Sequence, residues 1–63
     1  MAKIQSKKWR DSVKEYMNEN GLTVWSLGTR INYTNGQRIK KALAGEVGLT
    51  QDVKLRIDRL IKS

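Results

Sequence analysis

The chain has 63 residues, with 13 Lys or Arg against six Asp or Glu, a formal net charge of +7. That length makes one domain, which buries roughly 60% of its unfolded surface and so has a thin core. The absence of Cys and His excludes a disulfide staple and a Cys/His zinc site, leaving helix packing to supply stability.

The first five residues, Met1 to Gln5, read as a flexible arm. A short basic arm reaching into a groove is the alternative, though only Lys3 and Lys7 would support it. The N-terminal MAKIQSKKWR lacks the apolar block of a secretory signal. No apolar run approaches the roughly 18 residues of a membrane span. A cytoplasmic protein with no membrane partner is expected. No repeat, low-complexity tract or Pro-marked linker divides the chain.

Ser6 is a candidate N-cap for a helix over about residues 6–20. Trp9, Val13, Tyr16 and Met17 fall on one face of it. That spacing predicts core packing for the two aromatics; base-stacking platforms are the alternative. Asn20-Gly21 signals the stop, with Gly21 suited to the left-handed position after a helix.

Thr23 caps the next helix. Val24, Leu27 and Ile31 face inward, and Gly28 permits a close approach of helices. Trp25 is off this stripe, either packed against the first helix or near a phosphate backbone; packing is the preferred reading. Asn32-Tyr33-Thr34 makes the turn, because Asn tolerates positive φ. Tyr33 is expected between the two helices, and Thr34 or Asn35 caps the third.

Asn35-Gly36 is also the strongest dipeptide signal for a two-residue hairpin. In that hairpin Ile31 and Tyr33 would share one face and Ile39 the other, so no apolar face forms. As a helix over about residues 35–44, Ile39, Ala42 and Leu43 bury together, and Gly45 ends it. Val47 and Leu49 anchor the loop that follows. Thr50 caps a last helix on which Val53, Ile57, Leu60 and Ile61 form the core stripe. Asp52–Arg56 and Asp58–Lys62 are favourable i, i+4 pairs. The fold class is therefore all-α, a small four-helix domain with a central helix-turn-helix.

Charge is distributed unevenly along these elements. Residues 1–20 carry five basic and three acidic side chains, residues 21–45 four and none, and residues 46–63 four and three. The net charges of +2, +4 and +1 sum to +7. The acid-free stretch holds Arg30, Arg38, Lys40 and Lys41, the electrostatic footprint of a nucleic-acid binder. A solvated basic surface that aids solubility is the plainer account of any one of these residues.

The run TVWSLGTRINYTNGQRIKKALAG followed by LTQDVKLRIDRLI resembles the helix-turn-helix of lambda-repressor-like domains. Its later half is similar to the headpieces of the lactose-repressor family. Thr23, Leu27 and Gly28, Tyr33-Thr34, Ile39, Ala42, Gly45 and Leu49-Thr50 carry the likeness over most of residues 22–61. Asn32 stands where a turn Gly is common, and the spacing from Tyr33-Thr34 to Ile39 is one residue longer. A helix ahead of the motif makes the arrangement more like a phage repressor or Cro-type domain than a sugar-responsive repressor.

The resemblance implies a sequence-specific regulator of double-stranded DNA, of phage or mobile-element type, with the third helix in the major groove. Asn35, Gln37, Arg38 and Lys41 would then face base edges, Asn35 being also a candidate N-cap. Gly36 would let the backbone come close. Thr23, Arg30, Thr34, Lys40 and Lys54 would contact phosphates. Such domains pair as homodimers, here through the last helix with Leu55 or Ile61. A protein-interaction module, antirepressor or inhibitor, using the same basic surface is a second reading. A nonspecific nucleic-acid binder is a third. No small-molecule ligand, cofactor or metal is expected. With no His or Cys and all six acids outside the basic stretch, an enzyme is not expected either.

Overall fold

Side-chain caps open the helices of the computed structural model, which describes residues 3–62. The Ser6 Oγ accepts the Trp9 N–H at 3.2 Å and starts α1, Lys7–Glu19. The Thr23 Oγ1 accepts the Ser26 N–H at 3.1 Å and starts α2, Val24–Arg30. Asn35, rather than Thr34, caps α3, Gly36–Leu43, by accepting the Arg38 N–H at 3.1 Å. Ahead of α4, Gln51–Lys62, Thr50 Oγ1 accepts the Val53 N–H. Each cap satisfies one of the N–H groups that a helix start leaves without a partner.

The first three helices end alike. Gly21, Asn32 and Gly45 sit at positive φ, +62°, +57° and +83°. In each case the next N–H folds back: Leu22 to Met17 O, Tyr33 to Gly28 O, and Glu46 to Lys41 O, at 2.8, 2.8 and 3.0 Å. This is the Schellman arrangement, in which one left-handed residue lets the chain reverse and satisfies the last carbonyls. Asn32 does here what Gly does at the other two sites. The hairpin reading of Asn35-Gly36 fails on the same observable. A type I′ turn needs positive φ at both residues, whereas Asn35 has φ −92° and Gly36 is not among the positive-φ glycines.

The core gathers Val13 and Met17 of α1, Leu27 of α2, Ile31, Ile39, Ala42 and Leu43 around α3, Leu49 of the loop, and Val53 and Ile57 of α4. Trp9, Val24, Tyr33, Val47, Leu60 and Ile61 pack around it, partly buried. Helix α2 packs mainly on α3, and α1 packs on both α3 and α4. Tyr16 departs from the expected stripe. It is half-buried in a shallow cleft with Glu15, Glu19 and Ile61 and stays outside the core.

Gly28 admits the turn as well as α3, whose Ile39 Cδ1 would lie 3.6 Å from a Cβ there. A Cβ there would lie 2.5 Å from the Tyr33 carbonyl oxygen. Because that neighbour is backbone, Gly28→Ala is expected to destabilise the fold by about 1–3 kcal/mol through overpacking, despite the better helix propensity of Ala. Urea unfolding of the two proteins checks this; an unchanged or higher midpoint contradicts the close approach.

Three polar ties hold the periphery. Gln5, expected in a flexible arm, instead grips Leu49 in both directions. Its Nε2 donates to Leu49 O and its Oε1 accepts Leu49 N–H, both at 3.0 Å. The arm reading therefore fails at Gln5, while Met1 and Ala2 lie outside the described residues. Arg56 pairs with Asp52 at 3.0 Å as its spacing predicts, and also donates to the Ile31 and Asn32 carbonyls at the end of α2. A cation suits that end of a helix.

The third tie corrects the expected Asp58–Lys62 pair. Asp58 accepts the Trp9 indole N–H on one oxygen at 2.7 Å and the Lys54 ammonium on the other at 3.2 Å. It thereby links α4 to α1, while Lys54 lies 5.5 Å from the Trp9 ring centre. Partial burial pulls the Asp58 pKa up, but the hydrogen bonds from Trp9 and Lys54 and the nearby Lys54 and Lys62 charges outweigh it and hold it below the usual value. A carboxyl depressed in the fold lends stability above its unfolded pKa and loses it as pH falls through the folded one. The thermal midpoint of the parent should therefore exceed that of Asp58→Asn near neutrality, and the gap should close in acid below the ordinary carboxylate range. A gap constant with pH would show that the charge at Asp58 contributes nothing.

Candidate nucleic-acid interface

Helical geometry sorts the side chains of α3. Gly36, Ile39, Ala42 and Leu43 are buried and define the inner face. At 100° per residue the opposite stripe is Gln37 and Lys41, with Lys40 and Arg38 on the two flanks. All four are exposed. Gln37, Lys40 and Lys41 have open outward side chains. The Arg38 guanidinium is turned sideways, donating to the Gly48 carbonyl at 3.1 Å across the loop to α4. To fork onto a base it must break that bond. Asn35 is taken up by capping, its Oδ1 holding the Arg38 N–H.

Gly36 does not offer open backbone to an incoming ligand. It is buried beneath the Trp25 indole, and a Cβ at Gly36 would overlap that ring. Trp25 thus packs on the first residue of α3 and not on α1, and it remains 57% exposed. No apolar periodicity marks it, since it lies off the α2 core stripe. The sequence signal was Gly at the start of a helix, where a better helix former would ordinarily serve.

The phosphate candidates divide into two groups. Arg30, Thr34 and Lys40 are exposed, Arg30 in the last turn of α2 and Thr34 in the turn. Thr23 is also exposed but engaged in capping, and its hydroxyl additionally donates to Ser26 Oγ at 3.2 Å. Lys54 is bound into the α1–α4 contact through Asp58 and Trp9.

Electrostatics reinforces this division. Three of the six carboxylates are paired, Asp11 with Lys7, Asp58 with Lys54 and Asp52 with Arg56. Asp11 is held below the usual carboxylate range chiefly by its hydrogen bond from Lys7. Among the described residues, Arg30, Arg38, Lys40 and Lys41 take part in no ion pair. The positive charge of α2 and α3 is therefore not balanced by an ion pair among the described residues.

Known proteins give no second route to the function. Comparison with protein-family models, curated proteins and solved structures finds no match. No helix among the described residues is long and apolar enough to cross a membrane. What the chain does is thus read from its surface. On the flank of α3 away from Arg38, an open groove of about 430 Å³ runs between α1 and α3. Met17, Leu22, Val24 and Leu43 line it together with Lys14 and Lys40.

Proposed function

We propose that this chain is a sequence-specific regulator that binds double-stranded DNA, with α2, the turn and α3 acting as a helix-turn-helix. The observation that supports the reading best is the outward face of α3. It carries Gln37 and Lys41, flanked by Lys40, on a stretch of 25 residues without one acid. A helix with its side chains is about 10–12 Å across, which fits a major groove about 12 Å wide. Gln37 can pair with the adenine edge and Lys41 with guanine O6 and N7. Arg30, Thr34 and Lys40 are placed to set register on phosphates. The likeness to lambda-repressor-like domains, of phage or mobile-element type, points the same way.

Selection of bound duplexes from a random pool, at near-physiological salt with competitor DNA, tests this. One enriched motif is expected, lost or relaxed in Gln37→Ala/Lys41→Ala. Both positions are exposed, so the variant should stay folded. A palindromic motif would add a homodimer, for which α4 offers the exposed Leu55. Uniform recovery of sequences rejects the regulator and leaves a nonspecific binder.

The groove between α1 and α3 favours a second reading, a module that binds an acidic protein partner. Its apolar lining and its two lysines suit an acidic amphipathic helix. In that case no duplex motif emerges, and polyanions compete with the partner.

A further inference from the structure

We propose that Trp25 is a DNA-contacting residue, and that the notch beside it takes the C5-methyl of a thymine at the edge of the major groove. The inference rests on the reading of α3 as a DNA-facing helix, and adds to it a contact that carries no charge.

Four observations converge on Trp25. It is the most exposed large apolar side chain among the described residues, at 57%, against 52% for Ile4 and 41% for Leu55. It is nevertheless fixed in place, because one edge of the ring rests on Gly36 so closely that no Cβ would fit between them. An aromatic ring has few torsions to immobilise, so a seated indole binds at low entropic cost. Beside it opens a notch of about 300 Å³ lined by Trp25, Thr29, Asn32, Tyr33 and Thr34. Thr29 is occupied within α2, its hydroxyl donating to the Trp25 carbonyl at 3.1 Å.

The charge around the notch selects the occupant. Its residues lie within the acid-free stretch, with Arg30 in the last turn of α2. An anionic backbone can approach without repulsion. Within a duplex major groove the apolar group on offer is the thymine methyl. An unpaired base stacked on the indole is the other way an exposed Trp meets nucleic acid, but Gln37 and Lys41 on the outward face of α3, the helix on which Trp25 rests, suit paired edges.

The unaltered protein tests this by NMR. Its two indole N–H signals report separately, Trp9 being bonded to Asp58, and Trp25→Phe assigns them. Three probes are titrated at low salt: a 20-base-pair alternating A·T duplex, the same duplex with deoxyuridine for thymine, and a 20-base thymine single strand. The Trp25 signal should move and the Trp9 signal stay. The thymine duplex should bind about fourfold more tightly, the worth of one buried methyl. Trp25→Ala should erase that preference without changing the dependence on salt, since no charge is lost. Duplex binding with a stationary Trp25 signal, or equal affinity for the two duplexes, overturns the proposal and leaves the DNA-binding reading standing. So does a larger Trp25 shift with the thymine single strand, which indicates stacking instead. Binding of neither duplex sinks both.

Discussion

Ile39→Ala is expected to remove a large share of the stability of this chain. Ile39 is fully buried at the centre of α3, and its Cδ1 reaches Gly28 of α2. Truncating such a side chain costs about 2–5 kcal/mol, from lost transfer energy and from the cavity left behind. At 0.05–0.15 kcal/mol per residue, a chain of this size has about 3–9 kcal/mol in total. The substitution therefore consumes between about a fifth of it and the whole. The largest side chains enclosed as deeply are Leu27, Leu49, Ile57 and Val13, so there is little neighbouring structure to collapse into the gap. Urea unfolding followed by circular dichroism measures the loss, with Ile39→Val at about 0.5–1.5 kcal/mol as the graded control. A loss below about 1 kcal/mol for the alanine variant would mean that α2 and α3 are not packed as described.

The same residue shows why the helices were legible in the sequence. Ile39, Ala42 and Leu43 agree with each other only at helical spacing, and Asn35 before them and Gly45 after them are local chemistry. Caps and left-handed stops act over four to six residues, which is the range a sequence displays directly. Asn32 is the same kind of signal in a less usual residue. Ties between distant residues were not legible. Gln5 meets Leu49 across 44 positions and Trp9 meets Asp58 across 49. Neither pair has a spacing rule, and Asp58–Lys62 has the favourable acid-first order, whereas the pair that forms, Lys54–Asp58, has the reverse. What decided for Lys54 was Trp9, whose indole takes the other Asp58 oxygen and lies near the Lys54 ammonium.

The candidate interface was legible in its charge and less so in its contacts. An acid-free stretch is a property of composition, so Arg30, Lys40 and Lys41 stand exposed as their surroundings imply. Arg38 reads identically in the sequence, yet it is turned to Gly48 by a loop whose path depends on how α4 closes the core. Gly36 invites the thought of an open backbone until Trp25, eleven positions earlier, is found lying on it. Those two contacts share one cause. Each is set by a side chain arriving from another element, and periodicity within an element carries no trace of it.

Lys41→Ala and Arg30→Ala should weaken DNA binding in different ways, and the difference is the sharper test of the proposed interface. Lys41 lies on the outward stripe of α3, one turn beyond Gln37, where a base edge would be. Its loss should cost about 1–3 kcal/mol at the cognate site, roughly 5- to 150-fold, and relax the sequence preference at one position. Arg30 lies outside α3, at the end of α2, where a phosphate would be. Its loss should lower affinity for every duplex alike. With Lys54 engaged by Asp58, Arg38 turned to Gly48 and Lys41 given to a base edge, the cations left for phosphates are Arg30 and Lys40. Two neutralised phosphates give a slope of log affinity against log salt near −2, and Arg30→Ala should reduce its magnitude by about 1. Both side chains are exposed and outside the core, so their removal should shift stability by no more than about 0.5 kcal/mol, and lost binding will not be lost folding. Fluorescence anisotropy with cognate and scrambled duplexes across a salt series reads both quantities. If the two variants prove alike, each weakening all duplexes equally, then α3 offers charge without reading bases. The chain would then be a nonspecific binder that uses its basic face as a whole.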